Sequence, residues 1–138
     1  MEGYRRPPIE RGGFHDDDGD VIPYGARWTA TPADRLPYGV TRHLERFAPL
    51  LDVARALDAA LPAVNRPGGS AIAVRVETTD FPGAIIRVEG HDFPFPACGC
   101  DACDEDVEEL AEQMEQLVDA VVAGRWRNDR DGYRFWGE

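Results

Sequence analysis

Lysine is missing altogether from this 138-residue chain: all fifteen basic residues are arginine. We read that as a high-GC coding bias and not as selection for arginine chemistry. Serine is nearly missing too. Ser70 is the only one, it lies in a loop without a nucleophile-elbow pattern, and His15, His43 and His91 fall in separate segments, so a serine-hydrolase triad lacks its parts. No glycine-rich phosphate loop precedes a helix. No apolar run approaches the roughly 18 residues of a membrane span, and the opening MEGYRRPPIERGGFH lacks the apolar core of a signal peptide. The expectation is a cytoplasmic chain with no membrane partner. Disulfides are uncommon there, and three cysteines cannot all pair within one chain, which sets aside a disulfide framework. Positive charge is outweighed, at a formal net charge of −11. Nucleic-acid affinity rests on Lys and Arg neutralising phosphates, so no nucleic-acid partner is expected; a basic protein or a small molecule suits this surface better.

What is present fits one domain. With 43% hydrophobic residues the chain can bury a single core. Residues 1–38 hold five of the eleven prolines and the run HDDDGD, and read as an irregular, partly disordered acidic arm. Its removal up to residue 20 is expected to leave thermal stability nearly unchanged. Asp16, Asp18, Gly19 and Asp20 resemble a calcium loop only in part. Aligning Gly19 with the invariant glycine puts Phe14 at the first ligand position and Gly25 where a bidentate Glu belongs, so the run reads as a solvated acidic stretch.

Residues 39–138 read as a single α+β domain: two amphipathic helices packed on a small antiparallel sheet, made of a hairpin plus a terminal strand. Leu44, Phe47, Leu51, Ala54, Leu57 and Leu61 recur at helical spacing after a Thr41 N-cap. Pro49 splits this stretch into a short turn, a kink and a main helix from Pro49 to about Leu61. AIAVRVETT and AIIRVEG alternate as strands, and DFPG between them predicts a type II turn with proline and glycine central. A second helix is expected from about Asp104 to Ala123, with Gly124 as its stop and Glu108, Glu109, Glu112, Glu115 and Asp119 on a solvated face. RDGYRFWGE closes the chain as a short strand, with Trp126, Tyr133, Phe135 and Trp136 at the core edge.

Cys98, Cys100 and Cys103 fall within six positions, as C-x-C-x2-C, immediately before the second helix. Three readings stand side by side. Zinc would take the three thiolates and a fourth ligand, for which His91 is the nearest histidine, with Asp101 and Asp104 as harder donors. A redox role would use Cys100 and Cys103 as C-x-x-C at a helix start, against the anionic Asp101, Asp104, Glu105 and Asp106. A packed turn would use Gly99 for a left-handed backbone, Asp101 or Asp104 as helix cap, and the cysteines as small apolar residues.

VTRHLERFAPL, TTDFPGAIIRVEG and above all CGCDACDE together resemble a family of small uncharacterised actinobacterial proteins, over roughly residues 38 to 125. The resemblance implies a common fold and brings no activity, substrate or cofactor with it. The expected function is therefore a non-enzymatic cytoplasmic binding or interaction module, with structural zinc as the one cofactor the cysteines would accept. Two alternatives stand beside it: a thiol-dependent redox enzyme centred on the three cysteines, and an immunity-type inhibitor whose acidic helix masks a basic toxin.

Overall fold

The computed structural model describes residues 1–10, 12–22, 24, 43–66, 69–99 and 103–138. A 3-10 helix, Leu44–Phe47, leads into α1, Pro49–Ala60, whose proline sits in the first turn, where its missing N–H leaves no bond unmade. Turn and main helix are thus as expected. Of the expected stripe Phe47, Ala54 and Leu57 are buried and Leu44, Leu51 and Leu61 are half buried, while Leu50 and Val53 face the core in addition. The tighter 3-10 turn shifts the helical phase at Pro49, which brings these two into the stripe. Thr41, the expected N-cap, lies outside the described residues.

The predicted hairpin is formed by β1, Val74–Thr79, and β2, Gly83–Val88, paired antiparallel. Its turn differs from the type II expectation. Thr79 pairs with Gly83, so Asp80, Phe81 and Pro82 make the loop and the glycine opens the strand. The reason lies across the sheet: a Cβ on Gly83 would meet the Phe95 carbonyl oxygen at 2.4 Å. Phe95 belongs to β3, His91–Phe95, a third strand antiparallel to β2 that the sequence reading passed over. HDFPF contains a proline, which suits an edge strand that donates nothing outward. Val74, Val76, Ala84, Ile86, Val88 and Phe93 line the core side of the sheet. Its other face carries a ladder of ion pairs, Arg75–Glu77 at 2.7 Å, Arg87–Glu77 at 3.1 Å and Arg87–Asp92 at 3.1 Å.

Helix α2, Val107–Val122, turns Val107, Leu110, Met114, Leu117, Val118 and Val121 to the core. It starts later than Asp104. Asp106 is the N-cap, accepting the backbone N–H of Glu109 at 3.2 Å, because Asp104 is buried with φ 45° and held elsewhere. At the far end Gly124 N–H bonds to Val121 O and Arg125 N–H to Ala120 O, the paired closure expected of a glycine stop. The terminal strand is in fact half of a ribbon, β4, Trp126–Asp129, against β5, Gly132–Phe135. Trp126 is buried as expected, stacks on Tyr133 at 5.4 Å and meets Phe93 edge-on at 6.0 Å, whereas Tyr133, Phe135 and Trp136 are exposed. Helices and ribbon on one antiparallel sheet make an α+β fold. Among the described residues no helix is long and apolar enough to cross a membrane.

Residues 1–10 adopt no helix or strand, yet they are docked on α2. Met1, Tyr4 and Ile9 pack against the core cluster. The Tyr4 hydroxyl donates to Glu115, and Arg6 Nε donates to the same carboxylate at 2.9 Å. The solvated face of α2 is therefore interrupted at Glu115. The expectation that residues 1–20 can be removed without thermal cost is revised on these contacts. Burial raises the pKa of Glu115, but the hydrogen bonds from Arg6 and Tyr4 outweigh it and hold the carboxyl below its ordinary value. A depressed folded-state pKa stabilises fully above the ordinary value of 4.5, and that contribution is lost as pH falls through the folded-state value. Glu115→Gln should cost about 1 kcal/mol at neutral pH, since the pair is partly exposed and screened. In urea titrations the gap from wild type should close below pH 4.5; a gap that is constant with pH would show that the carboxylate charge is not what holds the arm.

Candidate binding site and cysteine loop

The HDDDGD run is exposed at all but Asp16, as expected of a solvated stretch, and it is folded into a turn. The Asp16 carboxylate accepts the backbone N–H groups of Asp18 and Asp20, each at 2.9 Å, and Ile22 N–H bonds to Phe14 O at 2.8 Å, with His15 bridged to Val21. The acidic run is thus the tip of a tight turn, and Asp16 is committed to its own backbone. The two flanks are its working parts. Ile22 is buried, and Phe14 packs against Tyr24 at 5.9 Å and His43 at 5.0 Å between ring centroids.

Between these flanks, the 3-10 helix and the start of α2 lies a cavity of about 330 Å³. Phe14, Val21, Ile22, Tyr24 and Val107 supply its apolar wall. Among the described residues that line it, the carboxylates Glu10, Glu45 and Asp106 and the cation Arg46 supply charge. Arg46 is already committed. Its guanidinium lies 4.0 Å from the Tyr24 centroid and 4.2 Å from that of Phe47, donates to the Glu105 carbonyl oxygen at 2.9 Å, and stands 3.7 Å from the Asp104 carboxylate. Arg46 and Asp104 are the two buried charged residues among those described. The Glu45 carboxyl is held below its ordinary value, first by its own backbone N–H and then by His43 Nδ1 at 3.1 Å.

The same arginine orders the cysteine loop from behind. Asp104 and the Glu105 carbonyl are its partners, and the Glu105 carboxylate in turn accepts the N–H groups of Ala97 at 3.1 Å and Cys98 at 3.0 Å. Gly99 has φ 86°, the left-handed region that favours glycine, and a Cβ there would push on the Phe81 ring. Cys98 is an exposed free thiol beside a second cavity of about 250 Å³ formed by Phe81, Ile85, Pro94, Phe95 and Pro96. Cys103 is half buried, and Cys100, with Asp101, lies outside the described residues.

Of the described cysteines, Cys98 and Cys103, neither is grouped with His91 in a metal-binding set. His91 opens β3 while Cys98 follows the end of that strand, with about 13 Å of extended chain between His91 and Phe95 alone. Its Nε2 faces Asn128 Oδ1 at 3.0 Å and its ring lies against Tyr133 at 4.6 Å. Among the described residues no group of three His, Cys, Asp or Glu side chains is placed to hold a metal ion. Sequence reasoning missed Arg46, Glu105 and the Phe14–Ile22 turn. A signal existed for the last: Phe14 and the pair Val21–Ile22 bracket a run of turn formers, the pattern of a hairpin.

Residues 10–66 and 62–136 match the family described as Family of unknown function (DUF6226). The chain belongs to that family. No curated protein and no solved structure matches it. The match starts at residue 10, so this DUF6226 chain carries the Phe14–Ile22 turn within the family span, well before the region whose motifs suggested a family. Glu105 offers a direct test of how the cysteine loop is held. Glu105→Ala should leave the fold intact, at a cost of about 1 to 3 kcal/mol, while raising amide hydrogen exchange at Ala97 and Cys98 at least about tenfold. Unchanged exchange at both amides would mean that the loop is fixed without the carboxylate.

Proposed function

We propose that this protein is a non-enzymatic cytoplasmic binding module whose recognition site is the cavity between the Phe14–Ile22 turn, Arg46 and the start of α2. One observation carries the reading: a concave space of about 330 Å³, mainly apolar and edged by a few convergent polar groups, which is the usual character and the lower size limit of a small-ligand site. An actinobacterial source suits the all-arginine basic complement. A basic protein, including a toxin of the immunity type, is the alternative occupant for so acidic a chain.

For the cysteine loop, the packed turn is the reading with most support, because Glu105, Gly99 and Phe81 shape it with protein groups alone. Structural zinc on Cys98, Cys100 and Cys103 is the second. It needs a fourth donor other than His91, Asp104 or Glu105, each of which has other partners. Thiol chemistry at these cysteines is the third reading, supported by the C-x-x-C spacing of Cys100 and Cys103 alone.

The binding reading is tested by NMR titration with a set of aromatic fragments. Shifts should cluster on Phe14, Ile22 and Val107, and Val21→Trp, a substitution at a well-exposed wall position (67% accessible), should fill the space and weaken binding at least about tenfold without unfolding the chain. Fragments that shift residues elsewhere, or that bind the Trp variant equally well, would contradict it.

A further inference from the structure

We propose that the open edge of β5 receives an extended peptide as an added antiparallel strand, one in which apolar and acidic residues alternate. This surface is separate from the cavity: α2, 16 residues and about 24 Å long, runs from the one to the other, so binding at either does not require the other. Tyr133, Arg134 and Phe135 are all exposed. Trp136 N–H bonds to Arg125 O at 3.2 Å, which fixes the parity of the ladder: Arg127 and Arg134 turn their backbone groups to each other, while Tyr133 and Phe135 turn theirs outward. Among the described residues nothing bonds to those outward groups. Such an edge is a template for pairing. The side chains select what can pair. On one face the rings of Tyr133 and Phe135, packed inward on Phe93 at 5.0 and 6.1 Å, leave apolar surface beside the edge. On the other face Arg127 stands directly opposite Arg134, an arrangement of like charges that costs stability. Asp129 approaches Arg134 at 3.5 Å with both side chains exposed, and Arg127 has no ion pair among the described residues. In an added antiparallel strand the residues beside Tyr133 and Phe135 share the aromatic face and bond to β5, while the residue beside Arg134 shares the arginine face. A carboxylate at that position relieves the arginine pair, and apolar neighbours cover the rings. Phosphates would also suit the arginines, but a nucleic acid has no amide ladder with which to continue the sheet.

The test is an NMR titration of the full chain with the blocked peptide Val-Glu-Val-Glu-Val, its isomer Val-Val-Val-Glu-Glu, and Val-Arg-Val-Arg-Val. The first is expected to bind at least about tenfold more tightly than the other two, equivalent to about 1.4 kcal/mol, with shifts and slowed amide exchange at Tyr133 and Phe135. N-methylation of its valines, whose N–H groups would point at β5, should abolish binding, and N-methylation of its glutamates should not. Arg127→Gln with Arg134→Gln, both exposed positions, should remove most of the preference over the arginine peptide. Failure of the first peptide to bind, or binding that shifts residues away from β5, would overturn the proposal. Survival of binding after valine N-methylation would rule out strand addition, and an acidic preference that persists in the double variant would show that the arginines do not read the charge. Single-stranded oligothymidylate supplies the remaining arm: weaker binding than the peptide supports a protein segment as partner, and tighter binding at β5 would overturn it in favour of a nucleic acid.

Discussion

A single guanidinium, that of Arg46, joins segments that lie far apart in the chain. It is held between the rings of Tyr24 and Phe47, it donates to the carbonyl of Glu105, and it faces the carboxylate of Asp104. Taking a charge out of water costs several kcal/mol, and the cost is offset only when the partners are fixed in place. Each partner is therefore constrained in turn. Asp104 adopts φ 45° to present its side chain, and α2 cannot start until Asp106. Glu105, its carbonyl taken by Arg46, directs its carboxylate back to the amides of Ala97 and Cys98. On the other side, Tyr24 carries the arm and its turn against the 3-10 helix.

The cavity and the cysteine loop are in this sense two sides of one construction. Arg46 lines the first and anchors the second. The hydrophobic layer beneath does not depend on it in the same way. Phe47, Leu57, Ile86, Met114 and Leu117 are sealed between helices and sheet by apolar burial alone, and the arm adds Met1, Tyr4 and Ile9 at the rim.

Much of this was legible in the sequence. Helical spacing located α2 and its glycine stop, period-two alternation located β1 and β2, and proline placement separated the 3-10 helix from α1. The failures have physical causes. Leu50 and Val53 were left out of the α1 stripe because a 3-10 turn does not keep a 3.6-residue period. Gly83 was assigned to a turn because its neighbour is proline, whereas the carbonyl of Phe95, on a strand distant in the turn's own frame, is what requires it. β3 and the β4–β5 ribbon are short, and their aromatic residues gain their partners only in three dimensions. The cysteine motif was conspicuous, but the groups that hold its loop were not. Arg46 precedes Glu105 by 59 positions, and nothing local marks either as the other's partner.

The dependence on Arg46 is most directly tested by urea unfolding of Arg46→Met, alone and combined with Asp104→Leu. Removing one member of a buried pair strands the other, so the single substitution should cost about 3 to 5 kcal/mol, and removing both charges should restore most of that loss. An Arg46→Met protein within about 0.5 kcal/mol of wild type, the range of an ordinary surface change, would contradict the account.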